Sequence, residues 1–232
     1  MERLELGTEE RWLVDLHAAD PEGPYVHRVR ELLPDGYERY LRLLHPFLPW
    51  DLPEGTNLPP AGFRTWRSLA DEAGVEFTPE IMEQSLRTVL PVREGGGRPF
   101  GLSEGQLEEP ARTSLFGLLA EASASADVYF YYGLAAMVRG KEPLLFRARM
   151  GELDSVQRAA DSASEARGCS IFGPEYIWLA DRSWVVMTDF DLTSTYVACR
   201  SELAERLLAD EVLEVVPVSL MTRVDSRADL GG

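Results

Sequence analysis

The residues of this chain best suited to chemistry are two aspartates, Asp189 and Asp191, which lie between two apolar segments. If a strand continued through them, both carboxylates would point to one face of a sheet, because side chains two positions apart on a strand share a face. Such a pair can bind a divalent cation or act as a general acid and base. Asp-Phe-Asp between apolar segments is more typical of a turn, in which each aspartate accepts a backbone N–H and Phe190 packs on the core. We favour the turn, and expect Asp181 in the preceding turn either to pair with Arg182 or to cap that turn.

A group of basic residues is the second candidate site. Arg147 and Arg149 share a face if they lie on a strand, and Arg139 and Lys141 fall in the turn before them. These side chains could bind a phosphate, a carboxylate ligand or an acidic partner protein. The alternative, which we favour, is that they pair with acidic residues elsewhere on the sheet, because the chain carries 39 Asp and Glu against 23 Lys and Arg.

No catalytic residue, metal site or cofactor site is predicted. The three histidines have no partner at metal-binding spacing, and we expect His45, directly before Pro46, to cap the end of a helix. The serines lack the local sequence of a nucleophile elbow, and the glycine-rich segments lack a strand before them and a helix after them. Cys169 and Cys199 have neither zinc-site spacing nor the number expected of a disulfide scaffold.

The charge and hydropathy of the chain narrow the class of protein. Its 232 residues carry a net charge of −16, which argues against sequence-independent nucleic-acid binding, since that depends on Lys and Arg at phosphates. The acidic residues are spread along the chain, as on a well-solvated surface. The longest apolar segment, residues 128–138, is about half as long as a membrane span, and the first residues are charged. We therefore expect a cytoplasmic protein with reduced cysteines and no membrane partner.

The first ninety residues have mainly helical patterns with proline-rich connections. Apolar side chains recur at helical spacing from Tyr37 to Leu44, so this segment is predicted as a helix that ends before Pro46. A second helix is expected from about Phe63, with Gly74 as its C-cap. A third is expected over residues 78–88, where Thr-Pro-Glu forms a helix start. The pattern of residues 12–16 fits either one helical turn or a short strand.

The second half carries the signals of an antiparallel sheet. Residues 91–112, rich in glycine and proline, form either a linker or a functional loop. A helix is expected over residues 113–125, then a hairpin over 128–150 and a surface helix or partly irregular segment over 154–167. Residues 174–218 have the pattern of a meander of short strands, an amphipathic helix and a final strand.

We therefore predict one α+β domain over residues 1–232, in which a mainly antiparallel sheet in the C-terminal half is packed by helices. Its expected parts are a helical N-terminal subregion (1–90), a Gly/Pro-rich connection (91–112), a sheet subregion (113–225) and a flexible tail (226–232).

Several segments resemble those of a widespread group of uncharacterised actinobacterial proteins. The resemblance covers most of the chain in the same order, and its most specific part is DRSW followed by TDFDLTSTYV, between Asp181 and Val197. It implies a cytoplasmic, single-chain α+β protein and brings no activity with it. A shorter segment, Leu33–Tyr37, resembles the Leu-Pro-x-x-Tyr start of SUKH immunity-type proteins.

These observations favour a non-catalytic module that binds another protein, as an immunity or accessory factor would. The alternative is an enzyme or small-ligand-binding protein that uses the two aspartates with a histidine and the hairpin of Arg147 and Arg149. The carboxylates would then have to meet His17 or His45 in a concave pocket. A third possibility is a homodimer joined through an exposed sheet edge.

Overall fold

The computed structural model describes residues 1–17, 27–49, 63–86, 89, 100–133, 142–165, 173–225 and 228. In these residues an eight-stranded antiparallel sheet and a small two-stranded sheet are accompanied by helices, which confirms the predicted α+β class. No helix in this part of the chain combines the length and the apolar character of a membrane span.

The secondary-structure elements of the described residues have the following bounds. The strands are β1 (Glu2–Leu4), β2 (Arg39–Leu44), β3 (Phe47–Pro49), β4 (Phe100–Leu102), β5 (Val128–Tyr132), β6 (Leu144–Ala148), β7 (Tyr176–Leu179), β8 (Trp184–Met187), β9 (Ser194–Cys199) and β10 (Val215–Val218). The α-helices are α1 (Arg11–His17), α2 (Val29–Leu32), α3 (Trp66–Ala73), α4 (Ala111–Ser123), α5 (Leu153–Glu165) and α6 (Ser201–Ala209). Short 3-10 turns lie at Glu83–Leu86 and Met150–Glu152.

The order of strands across the main sheet is β1-β6-β5-β7-β8-β9-β2-β10. The predicted hairpin of β5 and β6 and the meander of β7, β8 and β9 are confirmed. The final strand β10 pairs with β2 and not with β9. One edge strand of the sheet, β1, has only three residues, and the other, β10, contains Pro217. A short edge strand and an edge proline both disfavour pairing with the edge of a second sheet.

The predicted helix at Tyr37–Leu44 is wrong, because these residues contain strand β2. Leu41 and Leu43 are buried on one face of the sheet, and Arg42 is buried on the other. A strand buried on both faces can carry apolar residues at positions that also match a helical period. With β2 inside the sheet, the first ninety residues supply part of the same sheet as the C-terminal half.

The other N-terminal predictions have mixed outcomes. Helix α3 ends at Gly74 in the left-handed conformation (φ 65°), as predicted, and residues 12–16 lie in helix α1. The helix predicted over residues 78–88 is reduced to the 3-10 turn Glu83–Leu86, and residues 87 and 88 lie outside the described part. The carbonyls of Pro79 and Ile81, near the start of the predicted helix, accept hydrogen bonds from Arg42 and not from the N–H groups of a following helical turn.

Each face of the main sheet is covered by different helices. Helices α4, α5 and α6 pack on the face that carries Phe130, Val186 and Val197, which we call the helix face. Helices α1 and α2 cover the opposite, amino-terminal face, which carries Trp178 and Tyr196. Helix α4 begins two residues before its predicted start. Helix α5 forms where a surface helix or irregular segment was predicted, and it buries Val156 and Ala160 against the sheet; residues 166 and 167 lie outside the described part. Of the predicted tail, only Ala228 is described, and it is buried.

Candidate functional site

A cavity of about 440 Å³ lies on the helix face, at the end of the sheet where β8 ends and β9 begins. Its walls are formed by α4, α5 and residues 105–109, and its apolar lining includes Leu115 and Phe116. The hydroxyl-bearing residues Thr188 and Thr195 line its sheet side, which we call the base of the cavity. The volume is in the usual range for small-molecule sites.

The two threonines are connected to His45 by hydrogen bonds. Oγ1 of Thr188 lies 2.7 Å from Oγ1 of Thr195, which in turn lies 3.0 Å from Nε2 of His45. On its other side, Nδ1 of His45 lies 2.7 Å from the carbonyl oxygen of Ser103. Four residues from three separate segments therefore form one continuous chain, which we call the threonine–histidine relay.

His45 is neutral at physiological pH. Its side chain is fully buried, and its pKa is lowered to about 4: burial is the main cause, the hydrogen bond to Ser103 opposes it, and nearby Arg42 adds to it. The sequence-based prediction that His45 caps a helix is wrong, because the residues before it form strand β2. The imidazole instead holds the base of the cavity in place.

The neutral imidazole sets the direction of every hydrogen bond in the relay. A carbonyl oxygen can only accept, so Nδ1 carries the proton and donates to Ser103, and Nε2 accepts from Thr195. The single hydroxyl proton of Thr195 is then used, so Thr188 must donate to Thr195. The hydroxyl of Thr188 consequently keeps only acceptor capacity for any other partner.

The remaining polar side chains around the cavity are three carboxylates, one arginine and the glutamines Gln106 and Gln157, whose amides donate to Glu108 and Asp161. Glu108, Glu109 and Asp161 line it, and Arg112 is the one cationic side chain among its described lining residues. Arg112 is already paired, since its Nη1 lies 3.2 Å from Glu109 and its Nη2 lies 3.6 Å from Asp154. The cavity therefore presents an excess of hydrogen-bond acceptors and of negative charge.

The segment Ser103–Gly105 packs directly on the Asp-Phe-Asp turn. Gly105 has a φ of 76°, and its backbone N–H donates to the carbonyl of Leu192 over 3.0 Å. A Cβ atom at Gly105 would lie 2.8 Å from Cα and 2.9 Å from the carbonyl oxygen of Phe190. The side chain of Phe190 is 38% exposed, which corrects the prediction that it packs on the core. The backbone of Phe190, and not its ring, is the packing surface.

Asp189 and Asp191 lie in the turn beside the cavity and are not part of its lining. The N–H of Asp191 contacts Oδ1 of Asp189 at 3.4 Å, and Leu192 donates to the carbonyl of Asp189 over 3.1 Å. Burial, followed by the neighbouring carboxyl of Asp191, raises the pKa of Asp189 to about 6. Asp181 caps its own turn by accepting from the N–H of Ser183 over 2.8 Å.

Replacing Asp189 with asparagine is expected to stabilise the protein above pH 6. The raised pKa of Asp189 means that its contribution to stability is fully present below its unfolded value, near pH 4, and is lost as pH rises through about 6. Asparagine keeps the turn acceptor without the charge, so D189N should gain about 1 kcal/mol over the parent above pH 7, after discounting for solvent screening, and nothing at pH 4. Urea unfolding of both proteins across this pH range measures the difference in stability. His45 is present in both proteins, so its titration does not contribute to that difference. A difference independent of pH would contradict the assignment.

The basic hairpin lies away from the cavity. Arg147 contacts Glu2, and Nε of Arg149 lies 3.7 Å from Asp127. These arginines are at the end of the sheet where Ala148 pairs with Val128, whereas the two aspartates follow the opposite ends of the strands. The structure therefore does not bring them together. Arg139, Lys141 and the side chain of His17 lie outside the described residues.

Of the relay residues, only His45 was named from the sequence as a site candidate, as a possible partner of the two aspartates; Thr188, Thr195 and Ser103 were not predicted. Thr188 and Thr195 flank the Asp-Phe-Asp turn, and the only available signal was their position at the ends of two strands that follow each other. Among the described residues, no group of three or more His, Cys, Asp or Glu side chains could hold a metal ion. Comparison with models of protein families, with curated proteins and with solved structures found no match to this chain.

Proposed function

We propose that the protein binds a small organic molecule that carries hydroxyl or ammonium donors, in the cavity between α4, α5 and the main sheet. The observation that carries this proposal is the fixed direction of the threonine–histidine relay. Because Thr188 donates to Thr195 and Thr195 donates to His45, the base of the cavity offers an acceptor and no donor. A ligand that donates a hydrogen bond to Thr188 satisfies this arrangement.

The charge of the cavity supports the same class of ligand. The carboxylates of Glu108 and Asp161 add to the acceptors, while the guanidinium of Arg112 is engaged by Glu109 and Asp154. An anionic ligand would meet net negative charge here, so a neutral polyol or a cationic amine is favoured. The apolar walls at Leu115 and Phe116 can bury the carbon skeleton of such a molecule.

The relay supports binding more than catalysis. In a catalytic triad, a carboxylate stabilises the imidazolium that forms when histidine takes a proton. Here Nδ1 of His45 faces the carbonyl of Ser103 and not a carboxylate. Because the pKa of the buried imidazole is lowered to about 4, His45 is a weak general base. We propose a cytoplasmic location for this function, which the unpaired, buried thiol of Cys199 supports.

A thermal-shift screen against neutral polyols, nucleosides, aliphatic amines and dicarboxylic acids tests the proposal. A polyol, nucleoside or amine that binds the native state should raise the melting temperature in proportion to its occupancy. The variant T188V, which removes the acceptor at the base, should weaken that ligand about tenfold. The control T8V makes the same change on an exposed residue near α1, and T8V should bind the ligand with the same affinity as the parent protein.

Three outcomes would overturn the proposal: no donor-bearing compound raises the melting temperature, the dicarboxylic acids bind best, or T188V binds as tightly as T8V. The partner-protein binding that the sequence favours stays a prediction, and the surface that supports it lies on the opposite face of the sheet.

A further inference from the structure

A groove of about 840 Å³ runs over the amino-terminal face, between α1, residues 33–38 and the turn that joins β7 to β8. We call it the arginine groove because Arg182 and Arg200 both line it, together with Arg30, whose Nη1 lies 3.8 Å from Sδ of Met221. Its lining also includes Trp12, Tyr37 and Met221. Two segments that stood out in the sequence therefore meet here, the Leu-Pro-x-x-Tyr segment and the Asp-Arg-Ser-Trp turn.

Arg182 adopts a backbone conformation that arginine rarely takes. Its φ is 56°, in the left-handed region, and its N–H donates to the carbonyl of Leu179 over 2.7 Å. Glycine would hold this turn without strain, because it has no Cβ. Arginine supplies a side chain at this point, and its guanidinium lies over the ring of Trp12, 5.6 Å from the ring centroid. Non-glycine residues in such conformations are enriched at functional sites.

Two guanidinium groups of the groove are available to a ligand. Within the described residues, Arg182 and Arg200 are exposed and make neither a side-chain hydrogen bond nor an ion pair. Other surface arginines, such as Arg147 and Arg206, contact carboxylates directly. Glu38, the acid beside Arg200, accepts from the N–H of Ser201 at the start of α6 over 2.9 Å. This bond and nearby Arg200 both lower the pKa of Glu38, but Arg200 makes no direct ion pair with it among the described contacts.

The apolar and acidic residues of the groove restrict the kind of ligand. Met221 is 49% exposed, and Trp12, Tyr37 and Leu220 are partly buried around it. Arginine, tryptophan, tyrosine and methionine are the residue types enriched where proteins recognise one another. The groove is lined by the acids Asp15, Asp35 and Glu38 and by three arginines, so it has no net positive charge to attract a polyanion such as a nucleic acid. A single carboxylate can still pair with a guanidinium group.

We propose that the arginine groove binds a peptide segment of a partner protein in which an Asp or Glu side chain lies next to apolar side chains. The carboxylate pairs with Arg182 and Arg200, and the apolar side chains pack on Trp12 and Met221. This site is independent of the cavity on the helix face, so either one can fail without the other.

Selection from a random dodecapeptide display library tests this inference. The selected peptides should be enriched in Asp or Glu flanked by apolar residues, and a synthetic peptide of the consensus should bind the intact protein in a fluorescence-polarisation assay. The variant R182G relieves the backbone strain, so it should melt within about 4 °C of the parent protein and bind the peptide at least tenfold more weakly. The control R147A, on β6 two strands away from β7 and outside the groove, should bind like the parent.

A second comparison examines the charge of the peptide itself. Replacing its Asp or Glu with the corresponding amide should weaken binding to the parent protein at least tenfold and should have little effect on R182G. The inference is overturned if the selected peptides show no acidic enrichment, if the selection yields no binder, or if R182G and R147A bind equally well.

Discussion

Replacing Gly105 with alanine is expected to lower the free energy of unfolding by about 3 kcal/mol. Two costs combine at this position. The φ of 76° is unfavourable for any residue with a Cβ, and the new Cβ would lie 2.8 Å from Cα of Phe190, so one of the two backbone segments must move. Urea unfolding followed by tryptophan fluorescence measures the loss.

Gly74 provides the matched control. It has a similar φ of 65°, but no atom lies within 4 Å of the position that its Cβ would take. G74A should therefore lose only about 1 kcal/mol, the cost of the left-handed conformation alone. If G105A and G74A were equally stable, the close packing of Ser103–Gly105 on the turn would be contradicted.

The G105A substitution should also impair the proposed ligand site. A shift of residues 103–105 moves the carbonyl of Ser103 away from Nδ1 of His45, so the relay loses the bond that fixes its direction. A ligand found for the cavity should therefore bind G105A more weakly than G74A. Both variants carry the left-handed strain, so a difference in affinity reports the displacement of Ser103–Gly105, which borders the cavity at Gly105.

Replacing Arg42 with methionine is expected to lower the free energy of unfolding by about 3 kcal/mol. Arg42 is 1% exposed; its Nε donates to Oγ of Ser194 over 2.9 Å, and its Nη1 donates to the carbonyls of Pro79 and Ile81, each over 2.9 Å. Methionine fills much of the same space but leaves three acceptors without a donor, and unsatisfied buried acceptors cost about 1–3 kcal/mol each. Denaturant unfolding near pH 7 measures the effect.

Arg39, on the same strand, is the control for this substitution. It is exposed and donates only to the carbonyl of Glu38 over 3.3 Å, so R39M should change stability by no more than about 0.5 kcal/mol. R42K keeps a donor and the charge, and should recover part of the loss. If R42M were as stable as the parent protein, the cost of burying the guanidinium would equal the value of its hydrogen bonds.

Local patterns were sufficient where short-range geometry controls the structure. The hairpin of β5 and β6, the β7–β8–β9 meander and the end of α3 at Gly74 follow from runs of β-branched and aromatic residues and from a glycine that tolerates positive φ. Strand β2 was missed because a strand buried on both faces has no polar side against which a period of two can be recognised.

The candidate sites depended on contacts between residues far apart in the chain. His45 meets Thr195 across 150 positions and Ser103 across 58, and both contacts require β2 to be a strand beside β9. Once β2 was interpreted as a helix, no sequence pattern could place this imidazole behind Thr195. In the same way, Trp12 and Arg182 meet only because α1 covers the amino-terminal face of the sheet.

The sequence by itself determined the α+β class, the antiparallel C-terminal sheet and an acidic surface, because periodicity, turn residues and net charge act locally or as sums. Only the tertiary structure decided that the aspartates at 189 and 191 lie in a turn beside a cavity, that Arg147 and Arg149 are paired at the other end of the sheet, and that two unpaired arginines share a groove. The reason is physical: a side chain's charge state and its available hydrogen bonds depend on the neighbours that strand order brings to it.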